Sequence, residues 1–267
     1  KDKRFRCSVH IYYKGKSFVI DTGPDFRQQM LNAEIKFLDA VLFTHEHKDH
    51  VAGLDDIRPF NFSQKKPIDI YCTDQVFNAL KREFHYIFNP KFKYPGIPKI
   101  NRYSINKNEN ILIADIIIEP IEVMHYKLPV LGFKIDGFAY ITDAKTIEDS
   151  QKNKLNNLDV LVINALRIKE HMSHFNLEEA IELIKELKPK KAILTHISHF
   201  MGIHQEVQKK LPENIYLAYW CSCSRTGTVE ATLLERTQRR LAARLRHTQE
   251  LVPAAASSAS PPCSCLC

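Results

Sequence analysis

Apolar positions along the chain fall into short alternating or continuous runs divided by turn residues, with fewer stretches at helical spacing. Ser8-Val9-His10-Ile11-Tyr12 alternates with the period of two of a half-buried strand, and Lys14-Gly15 predicts a hairpin turn joining residues 5–13 to a strand over 16–20. Ala40-Val41-Leu42-Phe43 is continuously apolar, the mark of a short strand buried on both faces. Further strands are predicted at 68–72, 111–124, 131–135, 138–142, 159–163, 191–195 and 215–219, the pair within 131–142 turning about Asp136-Gly137. Helices fill the intervals. Gly23-Pro24 marks a turn before a helix over 25–33, residues 51–59 read as a short helix closed by Pro59, and Asp74 caps one that runs to about 84. Asn176-Leu177-Glu178-Glu179 has the capping-box pattern, and Leu177, Ala180, Ile181, Ile184 and Leu187 line one face of the helix it starts. A last helix is expected over 204–211. Residues 88–98, with three prolines and one glycine among aromatics, read as an ordered loop or lid.

Ligand-type side chains recur where predicted strands end. Thr44-His45-Glu46-His47-Lys48-Asp49-His50 follows the 40–43 run directly, and His125, Asp143 and His196 each stand at the end of a later strand. Residues i and i+2 of an extended strand end point the same way, so His45 and His47 can share one metal, while Asp49 and His50 lie past the strand and can face a second. Neutral imidazole is the commonest transition-metal ligand, and four ligand-type side chains within six positions point to a metal site. Asp21, at the end of the 16–20 strand, is either a turn residue or a carboxylate that orients one of these histidines through its second ring nitrogen.

Composition narrows the setting. The chain has 267 residues, 44% hydrophobic and 26% charged, ordinary values for a globular protein long enough for one large domain or two small ones. No run of eighteen apolar residues occurs, so no membrane span is expected. The net charge is +7, but residues 221–267 carry six arginines against three glutamates, leaving about +4 for the rest. That balance permits an anionic substrate without demanding one. Of seven cysteines only Cys7 and Cys72 precede residue 221, which fits a reducing cytoplasm and gives no disulfide framework.

After Trp220 the character changes. Lys, Ile and Asn vanish, and Arg, Ala, Ser, Pro and Cys take over. The boundaries expected are a hydrolase-like domain over 1–220 and an atypical tail over 221–267. Within the tail, 229–246 is a candidate Arg-rich helix and 253–267 reads as disordered, as from a shifted reading frame or a chimeric join. The chain also starts without a methionine or signal peptide, which points to a missing natural start.

Together, His45-x-His47-x-Asp49-His50, then His125, Asp143 and His196, with Asp21-Thr22-Gly23 upstream, resemble the metallo-β-lactamase superfamily over about residues 5–219. Asp21-Thr22-Gly23-Pro24-Asp25-Phe26-Arg27, Gly53-Leu54-Asp55-Asp56-Ile57-Arg58-Pro59, Asn164-Ala165-Leu166-Arg167, His171-Met172-Ser173-His174-Phe175 and Leu194-Thr195-His196-Ile197-Ser198-His199 are similar to the branch containing phosphoribosyl 1,2-cyclic phosphate phosphodiesterase. That resemblance implies an α/β (α+β) fold, a four-layer αβ/βα sandwich of two mixed β-sheets flanked by helices with metals in a groove at one edge. The glycine-rich first strand and small cysteine cluster usual in the branch are lacking, which predicts a missing N-terminal strand.

The resemblance further implies that His45, His47 and His125 hold one divalent metal, Asp49, His50 and His196 another, and that Asp143 bridges them. Zinc suits this set best and manganese also accepts it. The implied reaction is attack by a dimetal-bridging hydroxide on a small cyclic or linear phosphodiester, with His174 as general acid and Asp49 also in the catalytic group. His171 is a rival for the acid; His199 is a rival too, or else binds substrate or supports the ligands from behind. Arg58 and Arg167 are candidate phosphate contacts. Asp143 stands where superfamily β-lactamases carry cysteine, which argues against lactams. Alternatives are tRNA 3′-end processing, glyoxalase II-type thioester hydrolysis, or a non-catalytic metal- or nucleic-acid-binding module. Only seventeen residues separate His125 from Asp143, too few for a tRNA-clamping arm there. The partner expected is a small phosphodiester, with nucleic acid not favoured, no membrane, and a homodimer left open.

Overall fold

In the computed structural model the described residues are 2–89, 91, 94–218, 223–226 and 229–234. Among them, strands form two seven-stranded sheets. The first has the order β13-β14-β1-β2-β3-β4-β5, from β1 (Val9–Tyr13), β2 (Lys16–Ile20), β3 (Ala40–Leu42), β4 (Ile68–Cys72), β5 (Ile100–Ser104), β13 (Cys223–Thr226) and β14 (Val229–Leu233). The second runs β12-β11-β10-β9-β8-β7-β6, from β6 (Ile111–Ile113), β7 (Ile116–His125), β8 (Leu128–Ile135), β9 (Phe138–Ile141), β10 (Val160–Asn164), β11 (Lys191–Thr195) and β12 (Ile215–Leu217). Each is mixed: β2 to β5 and β9 to β12 are parallel runs, and the remaining pairs are antiparallel. Helices α1 (Phe26–Asn32), α2 (Lys48–Val51), α3 (Arg58–Gln64), α4 (Asp74–Glu83), α5 (His85–Phe88), α6 (Asp149–Lys152), α7 (Leu177–Leu187) and α8 (His204–Gln208) complete the described elements, with three short 3₁₀ turns.

The period-two pattern explains the layers. Val9, Ile11, Phe18, Ile20 and Leu42 turn inward to meet Phe133, Ile135, Tyr140, Val160 and Val162 of the opposite sheet. Their neighbours turn outward: Val19 and Val41 pack under α1, α3 and α4 with Phe26, Phe60 and Leu80. Leu161, Ile163 and Leu194 pack under α7 with Ala180, Leu183 and Ile184. Strands buried on both faces need apolar residues at every position, hence the continuous runs. The expected four-layer sandwich of two mixed sheets is the observed fold.

The departures are local. The strand predicted over 111–124 breaks at Ala114, whose φ is 54°, and the chain doubles back as the β6-β7 hairpin. β5 was not foreseen, since Ile100-Asn101-Arg102-Tyr103-Ser104 at the sheet edge buries too little to show a pattern. At the other edge β14 pairs with β1, Val9 opposite Leu233, so β1 is bonded on both sides and the first sheet draws on the segment assigned to the tail. The helix predicted over 229–246 is corrected at its start, because Val229–Leu233 is a strand with its odd residues buried; residues 235–246 and 253–267 lie outside the described residues. The last strand of the second sheet ends at Leu217, and residue 219 is likewise outside them.

Parallel β2 and β3 end on the same side, and so do β7, β9, β10 and β11, which collects their C-terminal tips along one edge of the sandwich. Two backbone links seal that edge within the first half: Thr22 N–H donates to His50 O and Gly53 N–H to Thr22 O, both at 2.8 Å. Leu131 N–H donates to Thr44 O at 3.1 Å and joins the two sheets there. The close approach requires glycine. A Cβ on Gly53 would lie 2.2 Å from Gly23 O and 2.8 Å from Phe26 Cβ.

Gly53→Ala is therefore expected to lower unfolding free energy by about 3 kcal/mol, the upper part of the overpacking range, in denaturant titration. A second prediction concerns buried His10, which is pushed down to about 4 by burial and sits 2.9 Å from Ser17 Oγ. The unfolded chain takes up that proton near pH 6.5, so stability falls as pH drops from 6.5 towards 4. Between pH 7 and pH 5 the wild type should lose about 2 kcal/mol more than His10→Gln.

Candidate metal centre

Every strand tip at this edge delivers a polar side chain, and four bend sharply to do so. Asp21, Tyr126, Asp143 and His196 have φ of 64°, 56°, 57° and 54°, left-handed values that cost a non-glycine residue about 1 kcal/mol or more. Each such residue ends a strand at once and turns its own or its neighbour's side chain into the groove. Asn164 adds a backbone-like clamp, its amide accepting from Ala144 N–H at 2.7 Å and donating to Ala144 O at 2.9 Å, which fixes the turn after Asp143.

The result brings together His45, His47, Asp49, His50, His125, Asp143 and His196. Asp143 is the centre. Its Oδ1 lies 3.1 Å from His196 Nε2 and 3.3 Å from His50 Nε2, while Oδ2 lies 3.2 Å from His174 Nε2 and 3.6 Å from His45 Nε2. The two oxygens therefore face two different groups of rings. One group is Asp49, His50 and His196; another is His47, His125 and Asp143; His45 joins His50 and Asp143. Within each, ligand atoms lie within 4.8 Å of one another.

Hydrogen bonds behind the rings decide which nitrogen faces inward. His50 Nδ1 is 2.7 Å from Asp21 Oδ2, so it donates and leaves the Nε2 lone pair towards Asp143. His125 Nδ1 donates to Ser173 O at 2.8 Å. Thr44 Oγ1 gives its proton to Asp21 Oδ2 at 2.8 Å and so accepts from His45 Nδ1 at 2.9 Å. Three rings are thus locked with Nε2 inward as acceptors, the second-sphere pattern of metal-ligating histidines.

These acceptors face carboxylate oxygens, which are acceptors too. His50 Nε2 is buried without a hydrogen-bond partner among the described residues. Such a set fits a cation and is unfavourable without positive charge. The electrostatics register the same need for positive charge: burial alone would lower His50, yet the Asp143 and Asp21 carboxylates hold it well above the usual imidazole range, so a proton on Nε2 offsets the carboxylates where no cation does. Burial would raise Asp143, yet His196 and His50 hold it well below the usual carboxylate range. Burial pushes His45 well down and Asp21 up.

The other sequence candidates divide. His174 is in the cluster, its ring 4.4 Å from that of His125 and 4.9 Å from that of His196, and its Nδ1 lies 3.2 Å from His171 Nδ1. Asp21 makes the hydrogen bond expected of it, to His50. Arg58 lines a separate cavity of about 510 Å³ with Asn61, Tyr94 and Lys99, none of them a candidate ligand, and donates to Gly96 O. Arg167 donates to Lys169 O and Glu170 O in its own loop. His199 is exposed and packs on Phe200, ring centroids 3.9 Å apart. Arg6 was not foreseen, and its Nη1 stands 3.9 Å from Asp49 Oδ2. Neither motif nor spacing marks it, because it reaches the site from an irregular segment.

The family profile described as Beta-lactamase superfamily domain matches residues 16–197. Among solved structures, one described as a new diphosphatase from the PhnP family superposes with a TM-score of 0.74 at 34% identity, covering 80% of this chain and 81% of that one. Among curated proteins, an octanoyltransferase of Porphyromonas gingivalis is 40% identical over 220 residues, covering 82% of this chain but 44% of its own length. The chain thus spans less than half of that relative. A ribonuclease Z of Nanoarchaeum equitans is 28% identical over 193 residues, covering 71% of this chain and 51% of that protein.

If the Asp21 carboxylate sets the His50 and Thr44 geometry, Asp21→Asn should weaken divalent-metal affinity by about 10- to 100-fold in chelator competition, with the fold intact by circular dichroism. Protons compete for the same nitrogens, so bound metal should also fall as pH is lowered from 7 to 5. Metal content indifferent to both changes would contradict the arrangement.

Proposed function

The chain belongs to the metallo-β-lactamase superfamily of hydrolases, and on that footing we propose that it is a phosphodiesterase using two divalent metal ions on a small cyclic or linear phosphodiester. The observation that carries this reading is Asp143, whose Oδ1 faces His50 and His196 while Oδ2 faces His45 and His174. His45, His47 and His125 would hold one ion, Asp49, His50 and His196 the other, with Asp143 between. Zinc suits this mixture of imidazole and carboxylate best, and manganese accepts it. Bound there, the pair supplies charge neutralisation for phosphoryl oxygens and acidifies the attacking water.

The side chains do the rest. Asp21, Thr44 and the Ser173 carbonyl hold the rings in one tautomer, so no reorganisation is needed as charge builds on the substrate. His174 Nε2, 3.2 Å from Asp143 Oδ2, is placed to donate a proton within the cluster. As a water oxygen bonds to phosphorus and one ester P–O bond breaks, that proton passes to the leaving alkoxide. His171, whose Nδ1 accepts from Ser173 N–H and lies 3.2 Å from His174 Nδ1, has no close contact with Asp143 among the described residues and is the rival for that role.

The chain between His125 and Asp143 supports the choice of a small substrate. Strands β8 and β9 occupy nearly all of it, so no arm projects there to hold a large nucleic acid. The likeness to a ribonuclease Z supports a second reading, cleavage at the end of a polynucleotide by the same residues. The octanoyltransferase name describes a protein more than twice the matched length, and acyl transfer is not carried over.

Metal-loaded protein is expected to hydrolyse bis(p-nitrophenyl) phosphate and to stop on chelation, with a pre-tRNA and a thioester as poor substrates. His174→Ala should keep its metal, lose little rate on that good leaving group, and lose about 10²- to 10⁴-fold on an alkyl ester. Equal loss on both would remove His174 from the acid role.

A further inference from the structure

Residues 2–7 form a strap along the edge of the cluster. At one end Asp2 Oδ2 accepts the His204 backbone N–H at 2.8 Å, and Arg4 donates to Ala218 O and lies 3.0 Å from His204 Nδ1. At the other end Arg6 N–H donates to Asp25 Oδ2 and Arg6 O accepts from Gln29 Nε2, each at 2.8 Å. The strap is therefore pinned to the start of α8, the end of β12 and the start of α1. Between it and the tip of β11 lies a cavity of about 270 Å³, lined by Arg4, Phe5, Arg6, Leu166, His196 and Ser198. His196 lines this cavity and belongs to the cluster, so the cavity abuts the cluster.

Arg6 is fixed by its backbone but not by its side chain. Its side chain is 61% exposed and its Nη1 reaches Asp49 Oδ2 at 3.9 Å, too far for the paired hydrogen bonds an arginine makes with a carboxylate. Asp49 Oδ2 also faces His196 Nε2 at 3.5 Å and His50 Nε2 at 3.7 Å, so its charge is not Arg6's alone. A guanidinium that lines a cavity beside the cluster, its fork unfilled among the described residues, is placed for an anion of the ligand.

Resting on the phosphodiesterase reading, we infer that Arg6 anchors a second anionic group of the substrate, a phosphate or carboxylate seated in the strap cavity while the scissile phosphoryl group lies at Asp143. Arg6 is thus a specificity residue that selects doubly anionic esters. The nearby Arg4 holds the strap through Ala218 and His204.

Calorimetric titration of the metal-loaded protein with propyl phosphate and with propane-1,3-diyl bisphosphate tests this without turnover. Wild type should bind the bisphosphate at least about tenfold more tightly, the worth of one charge-assisted contact. Arg6→Gln should reduce that ratio to below about threefold and leave the monophosphate dissociation constant within about twofold, while Arg6→Lys restores part of the ratio. A wild-type ratio near one, or equal weakening of both ligands in Arg6→Gln, would overturn the assignment. Metal content measured after each titration guards against stripping. Turnover of bis(p-nitrophenyl) phosphate is read separately, so loss of the phosphodiesterase reading and loss of the Arg6 anchor give different results.

Discussion

Acceptors crowded around Asp143 repel one another, and the rest of the site exists to hold them there. Nε2 of His45 and of His50 face the carboxylate oxygens at 3.6 and 3.3 Å, in a setting sealed from water, and repel them unless a proton or a cation lies between. Removing a charge from water is costly unless it is paired, and here the pairing partner must be positive. Four left-handed tips, a buried carboxylate behind His50, and an asparagine clamp on the Asp143 turn oppose that repulsion. The packed sheets beneath supply the stability on which such strain rests.

Most of this was legible before any fold was known. Density of His and Asp after residues 40–43 showed the first half of the cluster, and the recurrence of ligand types at strand ends showed His125, Asp143 and His196 as its partners. Both signals are local. Strand period depends on which face is buried, and a residue just past a strand is where the backbone is free to turn. The sandwich itself came from resemblance, although its double-sided burial is written in runs such as Val160-Leu161-Val162-Ile163.

What stayed hidden has a common cause. β5 has one face open to solvent, and β6 parts from β7 at a turn, Ala114-Asp115, that carries no glycine or proline. The β13-β14 hairpin pairs with β1 across more than two hundred residues, a contact that composition cannot foresee and that the change of character after Trp220 actively concealed. Arg6, Ser173 and Asn164 act through backbone or through position on irregular segments, where no periodicity exists to read. Arg58 and Arg167 show the converse, since a family-like stretch placed them near the chemistry and the folded chain uses them to hold loops.

The Leu131 to Thr44 hydrogen bond gives the edge a further meaning. His45, His47, Asp49 and His50 ride on the first sheet, and His125, Asp143 and His196 on the second, so the cluster is a seam between two half-sandwiches of matching design. Neither half owns a complete donor set. Any slip of one sheet over the other is registered first as a change in spacing between Asp143 and its facing rings, which makes ligand occupancy a gauge of how the whole sandwich is assembled. Ligands at such a seam come together only in a chain whose two halves have docked.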